Sequence, residues 1–258
     1  MERAHRDGIL TAASLMVGAP AAADAVARAK RLPALRIGLH LVLVEAKPVL
    51  PAAAIPDLVD AAGAFRTDMA RVGAAMFFLP SVRRQLAAEI EAQFAAFAGT
   101  GIALDHANAH KHFHLHPTIG SLMVRIGRRY GLRAVRVPVE PLALLRRIEP
   151  VAGGGTSLLA LLAKRLKRQM HRAGMQVPDR VLGLAWSGAL HEARLAGLLR
   201  HLPEGLTEIY LHPATGRYPG DAPGYRYQDE LAALLSPLAR AALPADARRG
   251  GFADLVAA

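Results

Sequence analysis

The stretch GIALDHANAHKHFHLHP, residues 101–117, decides how this chain is read. Its first half is an apolar run expected to form a strand over 101–110. Its second half crowds histidines: His106, His110, His112, His114 and His116 are five of the eleven in the chain. In an extended segment His110, His112, His114 and His116 would point to one side, because strand side chains alternate with period two. Four imidazoles cannot share one face comfortably, so the strand is expected to end near His110 and the remainder to turn. The 258 residues contain no cysteine. That excludes disulfides, thiolate nucleophiles and every Cys-ligated zinc, haem or iron-sulfur site. Metal chemistry must therefore use His, Asp and Glu, and clustered imidazoles are its natural place.

Working outward, short apolar runs alternate with helical patterns. Strands are expected at 11–17, 35–44, 101–110, 134–139, 181–188 and 207–213. Helices are expected between them at 20–32, 81–98, 117–130, 155–173, 190–201 and 228–242. Strands separated by helices imply an α/β fold with a parallel sheet and crossover connections. The helix at 81–98 carries Val82, Leu86, Ile90, Phe94 and Phe97 on one face, with Ser81 as its N-cap and Glu89 and Gln93 turned to solvent. Residues 46–80, with Pro48, Pro51, Pro56, Pro80 and a turn at Gly63, read as a long loop. No repeat, low-complexity run or linker interrupts the chain. Its length and 52% apolar content suit a single domain over 1–258. In a barrel of parallel strands the chemistry sits at their C-terminal ends. His40 lies in the strand at 35–44, the cluster ends the strand at 101–110, and His212 ends the strand at 207–213.

The net charge is +11, and residues 133–180 hold ten Lys and Arg against three Asp and Glu, a local +7. At the centre is SLLALLAKRLKRQMHRAG. Leu158, Leu159, Leu162, Leu166 and Met170 fall on one arc and Lys164, Lys167, Arg168, His171 and Arg172 on the other. Such a helix either docks on a core with a solvated basic face or lies on an anionic membrane surface. Only 5% of residues are aromatic, and no reading motif accompanies the basic patch, which argues against nucleic acid as a partner. No stretch has the apolar length of a membrane span. The apolar stretch Ile9–Ala19 superficially resembles a secretory signal. Glu2 and Asp7 in the region before it, and the helix-like AAADAVARAKRL after Pro20, speak against that reading.

Together the pieces GILTAASLMV (8–17), IGLHLVL (37–43), LVDAAGAF (58–65), NAHKHFHLHP (108–117) and EIYLHP (208–213) resemble the YdjC-like carbohydrate deacetylases, which include chitooligosaccharide deacetylases. They occur in that family's order and spacing over most of the chain. DHANAHKHFHLHP, VRVPVEP, GLAWSG and YRYQDELAALL are most similar to its hopanoid biosynthesis-associated branch. The resemblance implies a distorted (β/α) barrel of the glycoside hydrolase/deacetylase type and metal-dependent removal of an N-acetyl group from an amino sugar. Carried over by motif, the metal ligands are His40 and His110, joined by an aspartate, with Mg2+ the implied ion. Zn2+ or Mn2+ would also suit two imidazoles and a carboxylate.

The family's aspartates belong to an Ala-Asp-Asp-Phe-Gly-like motif that does not occur here, and residues 1–10 match the helix and turn that follow it. The expectation is a barrel without its first strand, an N-terminally incomplete domain whose neighbouring strands have unpaired edges. Its general base would lie outside the chain, which by itself would be inactive. Asn108 stands where the family usually has Asp. Asn takes up no proton, so a hydrogen-bonding role behind the ligands is expected. His212 is the general-acid candidate, and His112 and His114 are expected to line the sugar pocket. Arg136 is expected either to bind substrate or to pair with Glu140. His5, His171, His191 and His201 are expected to be structural or exposed. The implied substrate is an N-acetylglucosaminyl hopanoid, a glycolipid. The expected setting is cytoplasmic, with peripheral contact at the anionic inner membrane through 155–173, and a homodimer is admitted. The alternatives are a soluble chito-oligosaccharide deacetylase and a non-catalytic glycan- or lipid-binding relic.

Overall fold

The computed structural model describes residues 1–151 and 158–255. In chain order the elements are α1 (Glu2–Arg6), β1 (Ala12–Leu15), α2 (Ala22–Ala29), β2 (Arg36–Leu41), α3 (Met69–Phe78), α4 (Pro80–Gly99), β3 (Leu104–Ala109), α5 (Pro117–Gly127), α6 (Leu142–Leu145), α7 (Leu158–Arg172), β4 (Arg180–Leu182), α8 (Glu192–Arg200), β5 (Thr207–Ile209), α9 (Tyr227–Leu235), α10 (Pro237–Ala241) and α11 (Phe252–Leu255). The expected alternation of strands and helices is present. β1, β2 and β3 form a parallel sheet in that order, and β4 and β5 form a parallel pair.

Between the two sheets, residues 133–139 make single bridges instead of the expected strand. Ala107 donates its N–H to Ala134, Arg136 donates to Ala107, Val135 donates to Gln176, and Val181 donates to Val139. Pro138 explains the irregularity, because it has no N–H for a ladder, and Val139 folds back onto the Val137 carbonyl beside it. Among the described residues β1 pairs only with β2 and β5 only with β4, so the paired strands do not close into a barrel.

Three other expectations are corrected. The strand expected at 181–188 ends at Leu182. Gly183 there adopts φ +99°, and a Cβ would lie 2.7 Å from the Tyr210 carbonyl oxygen. The helix expected at 228–242 divides at Ser236, whose hydroxyl caps α10 by accepting the Ala239 N–H, with Pro237 at the first position. The segment 46–80 is not all loop. It contains a 3-10 turn at Ala52–Ala54 and the whole of α3, capped by Asp68, whose carboxylate accepts the Arg71 N–H.

α4 begins at Pro80 with Leu79 before it, so Ser81 is not its cap. Its apolar face is as expected: Leu86, Ile90, Phe94 and Phe97 enter the main core with Leu39, Leu41 and Ala107. Glu89 and Gln93, expected in solvent, are buried. Gln93 brackets Val42 through both its N–H and its carbonyl, and Glu89 accepts the N–H groups of Val49 and Leu50. These bonds anchor the loop that leaves β2. A buried amide and carboxylate are tolerated because they replace water as partners for that loop's backbone.

α7 docks through Ala163, Leu166 and Met170, which are buried in the core. Its apolar arc is therefore not one continuous membrane-facing stripe. Only its first turn stands out, with Leu158, Leu159 and Leu161 exposed. Residues 155–157 of the expected helix lie outside the described residues. No described helix is long and apolar enough to cross a membrane.

Candidate functional site

The period-two geometry of the sheet places the polar groups. Ser14 on β1 sits opposite Gly38 on β2, and His40 on β2 sits opposite Asn108 on β3. The register slips between these points, with Ile37 opposite Leu104 but Leu39 opposite Ala107. The extra residue is a β-bulge around Asp105 and His106, a device that re-aims side chains at the cost of regular pairing. Gly38 is required by what it faces: a Cβ there would lie 2.5 Å from His106 Nε2, so the imidazole rests directly on the glycine.

His40 Nδ1 lies 2.5 Å from Asn108 Oδ1. The Asn108 amide nitrogen donates to Ser14 Oγ at 2.9 Å, so its oxygen is the acceptor toward His40. The His40 ring therefore carries its proton on Nδ1 and keeps Nε2 as a free acceptor. Burial pushes its pKa down to about 3, with Asn108 opposing, so the ring is neutral. A neutral imidazole with one nitrogen anchored and the other free is the form that binds a metal ion. The His110 ring meets His40 edge-on, with centroids 5.8 Å apart.

As expected, the strand ends before His110. Lys111 and His112 both take left-handed φ, 51° and 54°, and kink the turn that follows. Glu45, in the loop after β2, is left-handed as well, with φ 68°. Its carboxylate receives Lys111 Nζ and lies 3.4 Å from His110 Nε2. Non-glycine residues in this region cost about 1–3 kcal/mol each and gather where surrounding structure over-determines them. Burial lowers the His110 pKa, with Glu45 opposing.

A second group faces the same interior. Arg136 is buried and pairs with Glu208 of β5 through Nε and Nη2, at 2.8 and 2.6 Å. Its expected alternative partner, Glu140, instead accepts the N–H groups of Gly183, Leu184 and Ala185. The Arg136 guanidinium also lies over the Tyr210 ring, 5.1 Å from its centroid. His114 is fully buried and donates from Nε2 to the Arg136 carbonyl at 2.8 Å. That bond commits it to holding backbone. His112 stands 5.7 Å from Tyr210 and 6.2 Å from His114 by ring centroids.

The His212 ring packs between Tyr210 and Tyr225 at 4.7 and 5.0 Å, and both tyrosine hydroxyls bond Ser187 Oγ. Burial pushes His112 down to about 3 and His114 and His212 to about 4. The Arg136 charge adds to each of these depressions, and to that of His40. The charge of His110 is felt at both His40 and His212. Arg136 is thus within electrostatic reach of both groups, which together form the candidate site.

The remaining histidines fall outside it. His5 and His201 donate to the carbonyls of Leu10 and Gly197, and His171 is exposed. His106, though part of the cluster in sequence, is buried behind Gly38 with Asp105 on its Nδ1 at 2.8 Å. Ser14, Asp105, Glu208, Tyr210 and Glu45 were not anticipated. Glu208 had a signal, since a charge inside the apolar run TEIYLHP needs a buried partner. Ser14 had none.

The two imidazoles expected to hold a divalent ion, His40 and His110, meet edge-on. Among the described residues, however, no three His, Cys, Asp or Glu side chains converge as a metal site needs. Glu45, 3.4 Å from His110 Nε2, does not complete a three-group set with His40.

Comparison with known proteins agrees with the motif order. The profile of a family described as YdjC-like protein matches residues 1–245. A carbohydrate deacetylase of Brevibacillus brevis is 35% identical over 137 residues, 53% of this chain and 50% of that protein. The human carbohydrate deacetylase is 29% identical over 263 aligned positions, covering 93% of this chain and 80% of that one. The chain spans about half the length of the Brevibacillus brevis and Geobacillus stearothermophilus relatives it matches. In fold it is similar to a crystal structure from Enterococcus faecalis, described as a proposed cellobiose-phosphate cleavage protein. The TM-score is 0.70 at 24% identity, over 93% of this chain and 85% of the other.

Proposed function

The chain belongs to the YdjC-like protein family, and on that premise we propose that it acts in hydrolysing the N-acetyl group of an amino sugar, with a divalent metal ion as cofactor. Relatives that carry the name carbohydrate deacetylase support the reaction class. The observation that carries the reading is the pair His40 and His110, with His40 held neutral and its Nε2 left free by Asn108. These two would hold the ion, Mg2+ by resemblance with Zn2+ and Mn2+ as alternatives, together with a carboxylate; Glu45 reaches His110, but no described carboxylate converges with both rings. When bound, such an ion polarises the amide carbonyl and acidifies a water.

The chain's own groups do the rest. His212, neutral with a pKa of about 4, can protonate the departing amine only after a proton has reached it. Negative charge developing on the substrate beside the ring would oppose the burial penalty and favour that protonation. Tyr210 and Tyr225 offer apolar faces flanking His212 against which a sugar ring can rest. Arg136 is committed to Glu208, so its part is to hold the pocket wall and fix His114 rather than to bind substrate directly.

For the substrate we propose an N-acetylglucosaminyl hopanoid, met at an anionic leaflet. The exposed Leu158, Leu159 and Leu161, next to the basic Lys164, Arg165 and Arg168, support peripheral contact by the first turns of α7. The second reading is a glycan- or lipid-binding relic. Two measurements separate them: a titration with Mn2+, repeated on His40→Ala and His110→Ala, and acetate release from an N-acetylglucosaminyl lipid and from chito-oligosaccharides. One ion per chain, lost in both variants, with acetate released from the lipid, is expected. Release from chito-oligosaccharides alone would move the substrate to the soluble class, and neither binding nor release would leave the relic.

A further inference from the structure

Behind His40 runs a line of side chains that the reaction does not use. Asp105, as a carboxylate, can only accept, and it takes the His106 Nδ1–H at 2.8 Å together with the N–H groups of Phe252 and Ala253 at 3.2 and 2.9 Å. Burial pushes its pKa up, but these three donors outweigh it and hold the carboxyl below its ordinary value. In the Nδ1–H tautomer of a neutral His106, Nε2 accepts, and its neighbour at 3.0 Å is the Ser14 hydroxyl, which then donates. Ser14 Oγ then has a lone pair for Asn108 Nδ2 at 2.9 Å. That turns Asn108 Oδ1 toward His40 Nδ1. With a neutral His106 every group has one role and the four bonds share one direction, whereas a doubly protonated His106 would donate to Ser14 Oγ and leave the Asn108 amide free to turn.

We propose that Asp105, His106, Ser14 and Asn108 are positioning residues that fix the tautomer and ring orientation of His40. The ionised end of the chain sets the direction, and each hydrogen bond passes it on until His40 is left with its proton on Nδ1. Gly38 belongs to the arrangement because only a residue without a Cβ lets the His106 ring lie between Asp105 and Ser14. So does the bulge in β3, which brings Asp105 and His106, neighbours in sequence, onto one hydrogen bond. A hydrogen-bonded imidazole presents one nitrogen to a ligand, and loss of the partner that orients it costs ten- to a hundredfold in metal affinity in comparable sites. The proposal rests on the reading of His40 as a metal ligand only for that last consequence, since the tautomer is fixed with or without an ion.

The test uses the full chain with 15N-labelled histidine, freed of metal with EDTA, and long-range 1H–15N spectra that report which ring nitrogen carries the proton. His40, assigned by the loss of its signals in His40→Ala, is expected as the Nδ1–H tautomer alone. Ser14→Ala removes one hydroxyl from a half-buried site and is expected to bring in the Nε2–H tautomer of His40. His106→Phe, which keeps a ring on Gly38, is expected to do the same from two hydrogen bonds further away. Ser14→Thr, which keeps the hydroxyl, is expected to restore the single tautomer. Mn2+ titration is expected to show about ten- to a hundredfold weaker binding for Ser14→Ala. A wild-type His40 in the Nε2–H form, or an unchanged His40 in both Ser14→Ala and His106→Phe, overturns the proposal. A single Nδ1–H tautomer that Ser14→Ala disturbs, in a protein that binds no Mn2+, supports the positioning chain while overturning the metal reading.

Discussion

Replacing Glu208 by Leu would strand the Arg136 guanidinium inside the protein. The pair is nearly closed to solvent, with side-chain exposures of 10% for Arg136 and 18% for Glu208, and Glu208 supplies one oxygen to two guanidinium nitrogens. Removing one partner of a buried ion pair costs about 3–5 kcal/mol, because the remaining charge has lost both its counter-ion and its water. At about 2–4 °C per kcal/mol for a chain of this size, the melting temperature should fall by roughly 6–20 °C. The double variant Arg136→Met with Glu208→Leu removes both charges and should recover most of that loss, since a buried pair is often neutral against well-packed apolar residues. Urea unfolding of the wild type, both single variants and the double variant gives the coupling directly. A loss under about 1 kcal/mol in Glu208→Leu would refute the reasoning, because that is the scale of a solvated surface pair.

The other predictions concern the same interior and the surface around it. Gly38→Ala puts a methyl group where the His106 ring lies, and should destabilise by about 1–3 kcal/mol in thermal unfolding; an unchanged melting temperature would mean the ring has room to move aside. The folded-state pKa values of His40 and His112 near 3, and of His114 and His212 near 4, lie below the ordinary value of 6.5. In that window the unfolded chain binds the extra protons, so this stability is fully present above about pH 6.5 and is lost as the pH falls toward 4. Melting temperatures measured at steps from pH 7.5 to 4.5 should drop steadily, and a flat profile would contradict the burial of these rings. Replacing Lys164, Arg165, Lys167 and Arg168 by Gln should weaken sedimentation with phosphatidylserine-containing vesicles, at about 1 kcal/mol per charge near the surface, while hydrolysis of a soluble sugar analogue is spared. Equal sedimentation of both proteins would count against a membrane contact.

The parts of the fold that follow from alternation were open to reading. β1, β2, β3 and the helices α4 and α5 are set by apolar period, and the end of the strand before His110 follows from the crowding of like side chains. What escaped depends on contacts between segments distant in sequence. Glu89 and Gln93 lie one turn apart and look like a solvated edge of an amphipathic helix. They are buried because the loop after β2 brings its own unpaired N–H groups to them. The helix α3 was hidden by the prolines before it, although its cap, Asp68, was in plain view. Pro138 could have warned that 134–139 would not ladder. At the site, the resemblance named His40 and His110 together and their rings lie 5.8 Å apart, whereas His106, His112 and His114 could not be told apart by spacing. A β-bulge and two left-handed residues, invisible to a period-two count, send these rings in different directions.

The grip of Asp105 on the N–H groups of Phe252 and Ala253, reinforced by Arg36 on Asp254, has a consequence for the order in which the protein is made. β2 and β3 leave the ribosome long before α11, with 147 residues separating Asp105 from Phe252. Until that last helix arrives, the Asp105 carboxylate lacks two of its three donors, and the bulged end of β3 has nothing to close it. Contacts of such separation form late, because the loop entropy has to be met before they can contribute. The sheet can therefore pair ahead of the moment when the Asp105–His106 end of its polar interior gains its last donors.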